Sequence, residues 1–231
     1  MDSGLNASSV RRMFNTIKAI FNLAIAEHGL DMRNPFSSIY LPENDSKKRV
    51  SIPIETIRQI QQSCMEHDDD MRWLVALISD TGMRLAEAAG LNVDDIKLDE
   101  DIPYVDIRPH SWRSLKTKGS QRQVPLVGAS LWAAQRIHAN ASSCFAFPRY
   151  TDRERCNANS ASNALNKWIQ ANFRDDIVMH GFRHAMRDRL RAVSCPSEMI
   201  DQIGGWSSGK VGEGYGEGFD LRSVANRLKQ I

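Results

Sequence analysis

The sequence predicts a mainly α-helical protein with one small antiparallel β-sheet. Most of the chain after Val50 carries apolar residues at helical spacing, whereas the stretch from about 103 to 126 switches to short strand-like runs. Hydrophobic residues make up 42% and charged residues 25% of the 231, the balance of a soluble globular chain and not of a disordered one. That length suits one large domain, or one domain and part of another. Mean hydropathy is −0.42, and no apolar run approaches the roughly 18 residues that a bilayer demands.

Residues 8–28 read as one helix. Ser8 or Ser9 can cap it, and Phe14, Ile17, Ile20, Phe21, Ala24 and Ile25 fall on one face. Gly29 suits a left-handed position just past its end, and Asn34-Pro35 blocks continuation. The following LPENDSKKRV is polar, holds Pro42 and ends in Lys47, Lys48 and Arg49, the composition of an exposed linker. A single helix cannot bury its own apolar face. It must rest on the following domain, pair with another chain, or belong to a larger N-terminal domain. The organisation expected is therefore a helix and linker over 1–49 and a main domain over 50–231.

Within the main domain the periodicity predicts helices near 54–66, 69–80, 84–89, 129–139, 160–172, 180–193, 197–203 and 221–230. Tyr104, Val105 and Ile107, and later Val124 with Leu126, predict short strands. Between them lies SWRSLKTKGSQRQ, a turn-forming segment with Arg113, Lys116, Lys118 and Arg122 and no acid. The four cysteines (Cys64, Cys144, Cys156 and Cys195) form no CxxC pair and read as reduced thiols in a cytoplasmic protein. Neither they nor the histidines show metal-ligand spacing, which argues against a metallonuclease. The N-terminus lacks the basic-then-apolar layout of an export signal.

With 30 basic and 28 acidic residues, a net charge of +2 says little about partners. The charge is nonetheless segregated. Residues 94–101 (DDIKLDED) are acidic, whereas 108–122 and 183–191 are basic, and aromatics lie among the basic stretches. Either basic stretch alone reads as a solvated face; two of them, far apart in sequence, point toward a phosphate-binding surface.

Taken singly, the polar residues of interest are ordinary. Arg84 sits between a glycine turn and an amphipathic helix, where an arginine is commonly a carboxylate partner. His180 and Arg183, three apart, share a helix face. Trp206 would be core packing, and Tyr215, in a glycine-rich run nine residues later, a surface tyrosine. Their order and spacing say more. The succession Thr81-Gly82-Met83-Arg84-Leu85-Ala86-Glu87, a lysine-bearing turn, His180-Gly181-Phe182-Arg183, Gly205-Trp206-Ser207-Ser208 and then Tyr215 resembles the catalytic domain of the tyrosine recombinase (phage integrase) family. The resemblance covers about residues 50–220, and the first helix with its Asn34-Pro35-Phe36 ending looks like the close of that family's core-binding domain.

The resemblance implies a metal-free and ATP-free DNA strand-cleaving and rejoining enzyme with no cofactor. Arg84 and Arg183 would hold the nonbridging phosphate oxygens through planar donor forks, and Tyr215 would attack to form a 3′-phosphotyrosyl link. His180 would manage protons or touch phosphate, Trp206 would buttress the site, and Glu87 would fix the side chains around it. The general acid for the leaving 5′ oxygen would be Lys118 at the turn tip, with Lys116 the alternative. Arg113, Arg122, His184 and Arg187 are the expected DNA contacts. The implied partner is double-stranded DNA at a recombination site, bound by a homo-oligomer (a tetramer) that is monomeric without DNA. With half the family's DNA clamp expected to be absent, affinity should be low and salt-sensitive. The tail helix, with Asp220 as its cap and Leu221, Val224, Ala225 and Leu228 as its apolar stripe, would either fold back on its own domain or dock on a neighbour. Two other readings are a DNA-binding relic without activity and a type IB topoisomerase-like enzyme.

Overall fold

A computed structural model describes residues 7–41, 51–206 and 218–231. The chain divides into two compact units, Met1–Val50 and Ser51–Ile231.

The first unit is built on α1 (Ala7–Glu27), none of whose residues is buried. Ser8 and Ser9 lie inside its first turn, so neither is the cap that the sequence suggested. Past its end, Gly29 takes a left-handed φ of 58°. Asn34 then folds the chain back: its Nδ2 donates to Lys18 O (2.9 Å) and Asn22 Oδ1 (2.7 Å), while its Oδ1 accepts from Phe36 N. The Phe36 ring meets Phe21 at 4.7 Å.

The second unit is organised around α3 (Asp70–Thr81), whose residues from Leu74 onward are all buried. Asp69 caps it by accepting from Arg72 N, and Gly82 ends it in the left-handed region. Around it pack α2 (Ile54–His67), the short α4 (Leu85–Ala89), α5 (Gly128–Ala139) and α7 (Met179–Ala192). Asp80, near the end of α3, ties three of these together. One carboxylate oxygen accepts from Gln61 Nε2 (2.9 Å) on α2 and Arg189 Nη2 (3.0 Å) on α7; the other accepts from Ala129 N (2.9 Å) on α5. α6 (Ala158–Asn172) starts at its Asn157 cap, and α8 (Ser197–Gly204) leads into the Gly205-Trp206 box.

The sheet has the order β1–β2–β3, antiparallel throughout, from Ile96–Lys97, Tyr104–Ile107 and Arg122–Pro125. Val105 faces Val124, and Ile107 faces Arg122. The two-residue β1 was not legible in the sequence: it lies in the acidic run and exists only through its pairing with β2. The tail helix α9 (Leu221–Leu228) begins at its Asp220 cap and packs in cis on β3, burying Val224, Ala225 and Leu228. Gln202 of α8 clasps the approach to it, exchanging two hydrogen bonds of 2.8 Å with the Phe219 backbone.

All four cysteines are free. Among the described residues, no helix is long and apolar enough to cross a membrane, and no group of three or more His, Cys, Asp or Glu is placed to hold a metal ion.

Removing a buried carboxylate strands the guanidinium and amides it satisfies, so Asp80→Ala should destabilise the protein by about 3–5 kcal/mol in urea unfolding. Asp80→Asn, which keeps an acceptor for Ala129 N, should lose less. Equal losses would mean that the ion pair, and not the cap on α5, carries the effect.

Candidate active site

The site begins at the turn after α3. Gly82 has φ +61°, and a Cβ there would fall 2.9 Å from Met186 Cγ on α7, so both conformation and space call for glycine. The turn delivers Arg84 to the N-terminal cap of α4, with Met83 buried beside it as an anchor.

Glu87, one turn into α4 and 3% exposed, joins two arginines. Its Oε1 accepts from Arg84 Nη1 at 2.6 Å; its Oε2 accepts from Arg84 N and from Arg122 Nη2, both at 2.9 Å. The Arg84 fork reaches further, Nη1 to Ser120 Oγ (3.1 Å) and Nη2 to Gly205 O (3.2 Å), and its side chain keeps 24% of its surface exposed. Arg122 donates through Nε to Ile203 O and through Nη1 to Ser120 O, each at 2.7 Å. Thus α4, the β2–β3 connection and the end of α8 meet at one carboxylate. Gly205 has φ +57°, and a Cβ there would lie 2.7 Å from Arg122 Nη1, which again requires glycine at the closest approach.

Arg183 on α7 is buried. It donates to the carbonyls of Gly82 and Gly204, and its guanidinium lies 4.4 Å from the Trp206 ring centre. Arg187, one turn on, lies 5.0 Å from the same ring and pairs with Asp201 at 3.0 Å. Trp206 is thus held by two cations, each stacking on an indole face that welcomes positive charge.

The electrostatics are lopsided: the Arg84, Arg122 and Arg183 guanidiniums converge around the Glu87 carboxylate. Burial tends to raise the Glu87 carboxyl, but the charge and hydrogen bonds of Arg122, with those of Arg84, hold it below the ordinary carboxylate value. Burial, partly offset by Glu87, lowers Arg122. For Arg183, burial together with repulsion from Arg84 and Arg122 pushes the guanidinium down to about 9. A desolvated cluster with more positive than negative charge is unfavourable alone and is relieved by an anion. A phosphate group has that charge and matches the planar donor forks.

His180 and His184 lie on the first turns of α7, exposed, their rings edge to face at 4.9 Å. His180 also lines a pocket of ≈ 230 Å³ with Met83, Leu85, Ala158, Asn159, Ser162 and Met179. Lys116 is exposed, and Lys118 opens the 3₁₀ turn Lys118–Ser120, two residues before the Ser120 that contacts Arg84. Tyr215, Ser207 and Ser208 lie outside the described residues.

Two expectations need correction. Arg113 and Arg122 were read as DNA contacts on a basic surface, yet both are buried. Arg113 turns inward to donate through Nε to Gly90 O, and Arg122 is spent on Glu87 and two carbonyls. For Arg122 the direction follows from the strand start: it sits two residues before buried Val124 on β3, so both point to the same, inner face. Ser120 was missed altogether, because nothing local distinguishes a serine that will meet an arginine 36 positions away.

A sequence model of the phage integrase family matches residues 51–217. Tyrosine recombinase XerC of Neisseria meningitidis serogroup C is 26% identical over 214 residues, which covers 89% of this chain and 67% of that protein. Among solved structures, the Tn1549 transposon integrase in complex with circular intermediate DNA superposes with a TM-score of 0.65 at 16% identity, covering 98% of this chain and 81% of that one. The XerH recombinase bound to palindromic difH DNA gives 0.62 at 16% identity, covering 90% and 63%. The last two likenesses establish the fold.

Glu87→Gln leaves two guanidiniums without their shared counter-charge and should cost about 3 kcal/mol at pH 7. Because the folded carboxyl titrates below its ordinary 4.5, its stabilisation is full above that value and is lost as pH falls through the folded one. The gap between wild type and variant in urea unfolding should therefore narrow below about pH 4.5. A gap independent of pH would show that the charge of Glu87 contributes nothing.

Proposed function

The chain belongs to the phage integrase family, and from that premise we propose that it cleaves and rejoins DNA at a specific site through a 3′-phosphotyrosyl intermediate. The observation that carries the reading is the surplus of guanidinium charge gathered by Glu87, with Arg84 both fixed in place and partly exposed.

In this mechanism Arg84 takes the scissile phosphate at its open edge, and Arg183 supplies positive field from behind Trp206 and the Gly82 and Gly204 carbonyls. Both stabilise the charge that grows on the nonbridging oxygens as the phosphorus becomes five-coordinate. The Tyr215 oxygen attacks phosphorus, the bond to the 5′ oxygen breaks, and that oxygen takes a proton from a lysine ammonium. The phosphotyrosyl bond keeps the energy of the broken one, so a 5′ hydroxyl can attack it and rejoin without ATP. Lys118 is preferred to Lys116 as the acid because its turn is pinned to Arg84 through Ser120. His180, exposed beside the pocket at the start of α7, is suited to the phosphate or to proton transfer from the tyrosine. His184, Arg187 and Lys116 then contact the flanking DNA, whereas Arg113 and Arg122 hold the protein together.

The reading assigns residues 50–231 to the catalytic domain and 1–49 to the end of a core-binding domain. It places the protein in the cytoplasm, monomeric without DNA and tetrameric on paired sites. The cis packing of α9 on β3 supports a self-contained monomer.

Tyr215→Phe should abolish SDS-resistant attachment to DNA while leaving noncovalent binding nearly intact. Nicked duplexes with a randomised centre, from which the covalent adduct is recovered and sequenced, supply both the target site and the assay. An adduct formed by the Phe variant would remove Tyr215 from the mechanism, and retained binding with no adduct from the wild type would mark a DNA-binding relic. On the recovered site, Arg84→Ala should slow cleavage about 10²-fold or more. Arg84→Lys should recover part of that loss, since an ammonium cannot reproduce the fork; full recovery would contradict the two-pronged contact.

A further inference from the structure

The connection from β2 to β3 spans residues 108–121, far longer than a tight hairpin turn needs. A loop of that length left free would scatter the lysines it carries over many positions. Its first limb, however, is held by a side-chain cluster outside the arginine site. Asp95 closes the 3₁₀ turn Val93–Asp95 and is fully buried. Its Oδ1 accepts from Arg108 Nε at 2.7 Å, and its Oδ2 accepts from His110 Nε2 at 2.7 Å and from Asn92 N at 3.0 Å.

The His110 ring in turn stacks flat on Trp112, with centres 4.4 Å apart and planes 5° from parallel. Trp112 Nε1 donates to Gly90 O at 3.0 Å, at the end of the helix that Arg84 begins. Reciprocal backbone hydrogen bonds between His110 and Arg113, 3.0 and 3.1 Å, close the turn. The second limb is locked at Ser120 and Arg122, as described above. Only 114–119, the stretch with Lys116 and Lys118, lies between these two anchorages.

We propose that Asp95, His110 and Trp112 are positioning residues for the leaving-group acid: they form a collar that sets where the lysine-bearing span 114–119 leaves the domain, referenced to the same short helix that carries Arg84 and Glu87. The inference rests on the reading that a lysine of this span protonates the leaving 5′ oxygen. A helix that presents the phosphate-binding arginine at its start and receives the collar at its end keeps the arginine and the acid in one frame. Misplacing a reacting group by about 1 Å through a distant change can cost around 10²-fold in rate.

The test uses the full chain and the duplex recovered by covalent selection, made with either oxygen or sulfur at the bridging 5′ position. A thiol is far more acidic than an alcohol (about 8.5 for the cysteine side chain), so a thiolate leaves without a proton, whereas an alkoxide does not. Asp95→Asn, His110→Gln and Trp112→Phe should each cleave the oxygen substrate more slowly, by about 10- to 100-fold. On the sulfur substrate they should return close to the wild-type rate, as should the lysine variant that removes the acid, Lys118→Ala or Lys116→Ala. Arg84→Ala should stay slow on both. If the collar variants remain slow on sulfur while a lysine variant recovers, the collar does not act through the acid and the proposal is overturned, with the lysine reading intact. If no lysine variant recovers, the general-acid reading fails and the collar proposal with it. Wild-type rates on oxygen for all three collar variants would also overturn it. Thermal unfolding of each variant checks the fold, and His110→Gln, which leaves the buried carboxylate in place, carries the comparison if Asp95→Asn does not fold.

Discussion

The Glu87 carboxylate is the constraint on which the rest of the site depends. It faces Arg84 with one oxygen and Arg122 with the other, and so binds the start of α4 to β3. Through Arg122 the link continues to Ile203 and Ser120, which fixes the end of α8 and the lysine-bearing connection relative to the same group. Burying this charge is costly; it is tolerated because every contact it makes is a charge-assisted or amide hydrogen bond. The cluster still holds more guanidinium than carboxylate charge, an imbalance that an anion would relieve. Arg183, lowered to about 9 by burial and by its cationic neighbours, feels the imbalance most.

The fold serves this arrangement by bringing distant segments to one place with short, well-capped elements. Arg84 and Gly205 are 121 positions apart, yet share a hydrogen bond because α3 forms a buried axis from which α4 turns off and against which α7 packs. Trp206 completes the enclosure, held by Arg183 and Arg187 from the adjoining α7. Glycines at 82 and 205 admit these approaches where any side chain would collide.

Most helices were legible because their signals are local: Asp220 as a cap, Gly29 as a stop, the glycine turn before Arg84, and apolar residues every third or fourth position between them. That His180 and Arg183 lie on one helix was legible for the same reason. What failed was long-range. The sequence marked 94–101 only as an acidic run, whereas Asp95 is fully buried under Arg108 and His110, and Ile96–Lys97 pairs as a strand. Arg113 and Arg122 looked like surface charge because a basic segment of turn-forming residues says nothing about which of its arginines will find a partner inside. The inward direction of Arg122 follows from strand alternation, but only once the strand is known to start there.

A double-mutant cycle in single-turnover cleavage tests the central claim most directly, with Glu87→Gln and Arg122→Met made separately and together. If Glu87 and Arg122 act on Arg84 and the lysine turn as one unit, the double variant should cleave about as slowly as the worse of the two single variants. Losses that simply add would show that each residue acts by itself, and that the carboxylate does not join the two arginines into one device.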